Sequence, residues 1–150
     1  MLVANHGAGG AGLKKRYLNS NALYDPRFFT HAIAVDGPAT LVFVSGQVSY
    51  DRDGVVVGKG DLAAQAEQVF ASLAHNLRSA GAGWSDVVKM TGYLVDMTPE
   101  AVNTYREVRA RYLDPAAMPA STLVGVTRLV HEHLLVEVEL VAALPAAKKR

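Results

Sequence analysis

The sequence predicts a two-layer α+β domain in which two helices cover one face of a mixed β-sheet. Segments with the two-residue alternation of strands are interleaved with two segments whose apolar residues recur every three or four positions, in the order β-β-(β)-α-β-α-β-β. A length of 150 residues makes one domain the default. Since two helices cover only one sheet face, the Val, Leu and Thr side chains of the other face need a cover, which self-association would supply.

The composition excludes several classes of function. The absence of cysteine rules out disulfides, thiolate metal sites and a cysteine nucleophile, and it fits a reducing cytoplasm. A net charge of +1 and a pI near 8.0 do not match the basic face of nucleic-acid binders. No apolar run reaches the roughly 18 residues of a membrane span, and we expect no signal peptide. These observations predict a cytoplasmic protein with no nucleic-acid partner and no membrane partner.

The two ends of the chain are predicted to lie outside the folded domain. Residues 1–17 are interpreted as a flexible leader, residues 18–143 as a single domain, and residues 144–150 as a basic tail. The glycine-rich start is not a phosphate loop, because no strand precedes it and no Gly-Lys-Ser/Thr follows. Residues 18–29 are predicted to form an irregular segment that lies on the domain.

Turn chemistry organises the first strands. Residues 30–35 and 40–45 are short apolar segments, and Asp36, Gly37 and Pro38 between them predict a β-hairpin. A second turn signal at residues 53–54 precedes a short return strand at residues 55–57. Residues 87–95 are predicted to form a further long strand.

Capping residues mark the start of each helix. Asp61 is a good N-cap for the first helix, and residues 81–83, which include two glycines, end it. Thr98 caps the second helix, with Pro99 at its first position, and residues 114–115 end it. The apolar stripe of the first helix is Leu62, Ala66, Val69, Phe70, Leu73 and Leu77. The apolar face of the second helix is Val102, Tyr105, Val108 and Tyr112.

Residues 119–143 are predicted to form two successive strands with a polar break at residues 131–133. Alternation places one set of side chains of the second strand in the core: Leu134, Val136, Val138 and Leu140. The opposite set mixes carboxylates with apolar groups: Leu135, Glu137, Glu139 and Val141. The residues alone favour a solvated sheet face over an interface wall that holds a site.

Few side chains carry a chemical signal of their own. The spacing of His131 and His133 is a weak metal motif, and we favour a solvated turn and expect no metal. His31 is a candidate general base, although a structural role in a strand is favoured. Glu137 would be a general acid or base if it were buried at an interface, because desolvation raises a carboxyl pKa.

Several segments in the right order resemble the RidA/YjgF family of small trimeric enamine/imine deaminases. They are LVFVSGQ at residues 41–47, GDLAAQ at 60–65, DVVK at 86–89, VNTY at 102–105, and residues 119–129 followed by VEVE at 136–139. The resemblance runs from about Phe29 to Ala143. It implies a chorismate-mutase-like fold and a homotrimer without a cofactor. It also implies sites for a small-molecule metabolite in clefts between neighbouring subunits.

The resemblance also implies site residues, position by position. Phe29 stands where the family usually has an aromatic residue, and Ser45 and Gly46 belong to the Ser-Gly-Gln hallmark. Asn103 matches an asparagine of the second helix. Glu137 matches the glutamate thought to position the hydrolytic water. The role of Glu139 stays open.

The chain departs from the family pattern at Ser121, where the family has the arginine that binds the substrate carboxylate. Leu123 likewise replaces a frequent cysteine. Losing a bidentate clamp costs on the order of 2–5 kcal/mol of binding. Arg128 is seven residues along the predicted strand and would face the other way, whereas Arg27 or His31 are candidate replacements.

The sequence therefore predicts a hydrolase for a small enamine or imine whose anchoring group is not that of the usual 2-imino acid. A non-catalytic trimer that binds a small metabolite in the same cleft is the alternative. An RNA-cleaving activity is a third and weaker hypothesis, because the near-neutral charge and the few aromatic residues disfavour it.

Overall fold

The structure, a computed structural model, describes residues 12–146. The predicted leader up to residue 11 and the last four residues of the predicted basic tail lie outside the described residues. The strands are β1 (Lys14–Leu18), β2 (Ala32–Asp36), β3 (Ala39–Val48), β4 (Val87–Val95), β5 (Ala120–Val126) and β6 (Val136–Pro145). The helices are α1 (Leu62–Ser79) and α2 (Pro99–Arg109). Single 3₁₀ turns precede β4 and β5.

The main sheet has four strands in the order β3-β6-β4-β5. β6 is antiparallel to both of its neighbours, while β4 and β5 are parallel and are joined through α2. Both helices pack on the same face of this mixed sheet, so the predicted two-layer α+β architecture is confirmed.

The predicted hairpin between β2 and β3 is wrong. β2 pairs with β1 in a separate two-stranded sheet, and β3 pairs with β6 over most of its length. The turn at Gly37 and Pro38 is present, with a φ of 91° at Gly37, but it carries the chain from one sheet to the other. Turn residues specify a change of direction, whereas the pairing partner is decided by long-range contacts.

The predicted leader is wrong for residues 14–17, which belong to β1. Arg16 forms an ion pair with Asp36 across the small sheet, and Lys15 lies 3.7 Å from Asp86 at the start of β4. Lys15 and Arg16 therefore attach this segment to the domain through their charges. At the other end, β6 continues to Pro145, two residues into the predicted tail.

Local capping chemistry places both helices as predicted. The side chain of Asp61 accepts a hydrogen bond from the Ala64 amide, and the side chain of Thr98 accepts one from the Ala101 amide. Gly81, with a φ of 72°, follows α1 in the left-handed conformation that ends helices. α2 ends at Arg109, earlier than the Asp-Pro pair suggested, and a 3₁₀ turn follows.

The core lies between the helices and the inner face of the sheet. The predicted inward set of β6 is fully buried, and Phe70 of α1 lies among Trp84, Tyr105 and Tyr112. The outer face has no cover from the described part of the chain, and Leu41, Phe43 and Val124 are 51%, 74% and 36% exposed. Among the described residues, neither helix is both long enough and apolar enough to cross a bilayer.

Candidate functional site

The predicted site residues fall on opposite faces of the main sheet. Glu137 is paired with Tyr93 of β4 and points to the outer face, whereas Ser121 is paired with the buried Met90 and points towards the helices. Leu123 lies on the same side as Ser121. Within one chain, Glu137 and Ser121 are therefore separated by the thickness of the sheet.

Glu137 occupies a space beside β3 that exists because residue 46 is glycine. The register between β3 and β6 shifts between Val44 and Gln47, so Ser45 and Gly46 form an irregularity in β3. A Cβ atom at Gly46 would lie 2.9 Å from Cδ and 3.0 Å from Cγ of Glu137, and closer still to Oε1. The glycine of Ser-Gly-Gln thus lets the carboxylate rest against the backbone of the neighbouring strand.

The surroundings of Glu137 favour its protonated form. Burial is the main cause that raises its pKa, and the nearby Glu139 carboxylate adds to the effect. Glu139 is more exposed and accepts a hydrogen bond from the Tyr93 hydroxyl at 3.2 Å. A carboxyl group with a raised pKa is suited to giving and taking a proton near neutral pH.

A shallow depression of about 270 Å³ lies on the outer face, and Glu139 lines it whereas Glu137 does not. Ser45, Lys89 and Glu139 contribute polar groups to it, and Phe43 and Val141 contribute apolar ones. Lys89 donates a hydrogen bond to the Thr122 hydroxyl at 2.7 Å. Ser45 thus lies on the outer face, and Gly46 adjoins Glu137 there, while a role of these residues in a site stays a prediction.

A second pocket, of about 110 Å³, opens on the helix side of β5. It brings together three predicted residues, Phe29, Ser121 and Leu123. The further lining residues are Phe28, Tyr105, Arg106 and Arg109. Asn103 does not line this pocket and is exposed on α2.

Arg109 is the residue that sequence reasoning missed. Its guanidinium donates one hydrogen bond from Nη1 to the Ser121 hydroxyl at 3.3 Å and another from Nη2 to the Phe28 carbonyl at 2.6 Å. The side chain is 5% exposed, and its Nε is buried with no hydrogen-bond partner in the described part of the chain. Burial is the main cause that lowers the pKa of Arg109, and the Arg106 charge lowers it further.

The candidate replacements named from sequence do not contact Ser121. Arg27 is exposed and lines an adjoining pocket, and Arg128 lies beyond the end of β5. The His31 ring stacks edge-on against Tyr24 and Phe29 at centroid distances of 5.6 and 5.7 Å, and both ring nitrogens are buried without partners. The helical stripe offered a signal for Arg109, because it follows Tyr105 by four positions.

His131 and His133 lie in the turn before β6, with their ring centroids 5.4 Å apart. Across residues 12–146, no three His, Asp or Glu side chains are grouped so as to hold a metal ion.

Comparison with known proteins places the chain in a family. A family model described as Endoribonuclease L-PSP matches residues 20–144. A RutC family protein of Synechocystis is 39% identical over 119 residues, which cover 78% of this chain and 86% of that protein. A human protein named 2-iminobutanoate/2-iminopropanoate deaminase is 29% identical over 84 residues, 56% of this chain and 58% of that one.

Solved structures give the same answer for the fold. A crystal structure of a Rid family protein from Yersinia pestis is 35% identical, with a TM-score of 0.76 over 87% of this chain and 98% of that one. The match of the family model over most of the sequence, together with these relatives, identifies the chain as a member of the RidA/YjgF family.

Proposed function

We propose that the protein is a homotrimeric hydrolase that deaminates a small enamine or imine in clefts between neighbouring copies. The observation that carries the proposal is Glu137, a half-buried carboxyl group with a raised pKa that rests against Gly46 on an uncovered apolar face. The printed name of the human relative supports the reaction class.

The positions of the predicted site residues support the proposed assembly. Glu137 and Ser45 occupy the outer face of the sheet, and Ser121 and Leu123 occupy the helix side of an edge strand. A second copy packed on the outer face would bring its β5 edge to Glu137 and would also cover the exposed Phe43. Association of this kind buries apolar area and completes the site in one step.

The reaction needs one water and releases one ammonia. The Glu137 carboxylate takes a proton from water as the water oxygen bonds to the imine carbon. The imine nitrogen takes this proton from Glu137 as its double bond to carbon becomes a single bond, which gives a carbinolamine. The Glu137 carboxylate then takes the hydroxyl proton of the carbinolamine and passes it to the nitrogen, so the carbon–nitrogen bond breaks, ammonia leaves, and a carbonyl group remains. A raised pKa makes the Glu137 carboxylate a stronger base for the two proton abstractions.

Turnover tests this proposal directly. Imines generated in solution from amino acids by an amino-acid oxidase can be trapped with semicarbazide, and hydrolysis by the protein would reduce the trapped fraction. We expect wild-type activity, loss of at least about a hundredfold in Glu137→Gln, and full activity in Glu132→Gln, which changes an exposed carboxylate in the turn before β6. An unchanged rate in Glu137→Gln would refute the role of Glu137.

Assembly is tested separately. Light scattering on the eluting protein should give the mass of three chains of 16.0 kDa. Phe43→Ser should lower that mass, because Phe43 is the most exposed apolar residue of the outer sheet face. A monomeric wild-type protein would contradict the cleft.

The serine at position 121 favours one alternative, a trimer that binds a small metabolite without turning it over. Such a protein would be stabilised against heat by its ligand, yet every imine would survive in its presence. Robust hydrolysis would exclude this alternative.

A further inference from the structure

We propose that Arg109, reaching from α2, binds the anionic group of the ligand in the pocket beside Ser121 and thereby selects small carboxylates. The proposal rests on the proposed function for the reaction that follows binding, but binding itself can be measured without turnover.

The first argument is an uncompensated buried charge. Arg109 is 5% exposed, and both of its hydrogen-bond acceptors are uncharged: the Ser121 hydroxyl and the Phe28 carbonyl. Its Nε is buried and has no hydrogen-bond partner among residues 12–146. Buried charges in folded proteins are normally paired, so a buried guanidinium that meets only neutral oxygens can accept an anion at low cost.

The second argument is the charge of the surroundings. The pocket at Ser121 and the adjoining pocket along α2 are lined by Arg27, Arg106 and Arg109, and none of their lining residues within 12–146 is Asp or Glu. Arg106 is held with its guanidinium 4.3 Å from the centroid of the Phe28 ring. The Arg106 charge disfavours the charged form of Arg109, and an anion bound beside the two guanidinium groups would relieve this repulsion.

The third argument concerns the serine. A short side chain at position 121 leaves space for the Arg109 guanidinium and also holds it through the hydroxyl. An arginine at position 121 would place two guanidinium groups against each other. The positive charge beside this serine therefore comes from the helix.

The size and the walls of the pocket restrict the ligand. About 110 Å³ admits a carboxylate with a chain of a few carbon atoms, and Phe29 and Leu123 form apolar walls. A short 2-oxo or 2-imino acid fits this description. Phosphate shares the charge but offers no apolar part, which makes it the comparison ligand.

Calorimetry and thermal unfolding of the full-length protein test the proposal, with 2-oxobutanoate as a stable carbonyl ligand. Wild type should bind 2-oxobutanoate and should be stabilised by it. Butanone, which lacks the carboxylate, should have no effect at the same concentration. Arg109→Gln should raise the Kd at least about tenfold, whereas Arg111→Gln, which changes an exposed arginine paired with Glu67, should leave it unchanged.

A second variant, Ser121→Asp, tests the same site without removing the Arg109 side chain. Ser121→Asp supplies an internal counter-ion, so it should raise the melting temperature and raise the Kd at least about tenfold relative to Ser121→Asn, which has the same size without the charge. Equal affinity in these two variants, or in folded Arg109→Gln and wild type, would overturn the proposal. Phosphate binding as tight as 2-oxobutanoate would overturn the assignment to a carboxylate.

The outcomes separate this inference from the proposed reaction. Binding that depends on Arg109 without any imine turnover would keep the anion site and reject the deaminase. Turnover that depends on Glu137 while the KM is unchanged in Arg109→Gln would keep the deaminase and reject the anion site.

Discussion

Gly46→Ala should remove activity while leaving the fold intact. A Cβ at position 46 meets three side-chain atoms of Glu137, with Cδ at 2.9 Å and Cγ at 3.0 Å, whereas ordinary contacts begin at 3.4 Å. All three clashing atoms belong to the flexible Glu137 side chain, so we expect the clash to be relieved by moving its carboxylate and not the strands.

The size of the effect follows from that movement. A displacement on the order of 1 Å at a catalytic group costs about a hundredfold in rate, so kcat should fall by about that factor. The melting temperature should change by less than about 4 °C, equivalent to about 1 kcal/mol. Gly12→Ala is the matched control, because the same methyl group there meets open space. If Gly46→Ala kept more than a third of wild-type kcat, the placement of Glu137 against Gly46 would not matter for catalysis.

Two further predictions concern stability. Glu137→Gln should be more stable than wild type at pH 7: burial raises the pKa of Glu137 above its usual 4.5, so ionisation destabilises the fold, and the difference should vanish as the pH falls below about 4.5. Gln65→Leu should lower the free energy of unfolding by about 2–5 kcal/mol in urea titrations, because this fully buried amide bonds the Gly58 and His133 carbonyls and the Leu135 amide. A decrease of less than about 1 kcal/mol in the free energy of unfolding would contradict this role of Gln65.

Local chemistry made much of the fold predictable. Asp61 and Thr98 cap their helices because a side-chain oxygen satisfies a nearby free amide, and this depends on neighbours in sequence alone. The alternation along β6 likewise predicted which side chains are buried. The partner of β2 could not be predicted, because Gly37 and Pro38 report only that the chain turns.

The site was predictable only where one element carries it. Glu137 and Gly46 were found because each lies within a recognisable strand motif, although their contact requires the pairing of β3 with β6. Arg109 was missed because its importance depends on two distant segments, Phe28 and Ser121, that meet it only in the folded domain. A long side chain on a helix stripe predicts burial of its stem but not what its charged end contacts.

The separation of Glu137 from Arg109 by the sheet leads to one decisive experiment. If each cleft takes Glu137 from one copy and Arg109 from its neighbour, Glu137→Gln and Arg109→Gln chains are each impaired alone but complementary when mixed. Random mixing in equal amounts gives about one quarter of all clefts both native residues, and about one third of the clefts in trimers that contain both kinds of chain, so the kcat/KM of those mixed trimers should recover to about a third of the wild-type value. Because both residues would be changed in different chains, a site contained within a single chain would recover nothing. Mixing by co-expression with two tags, followed by purification on both, isolates the mixed assemblies, and no recovery in them would refute the shared cleft.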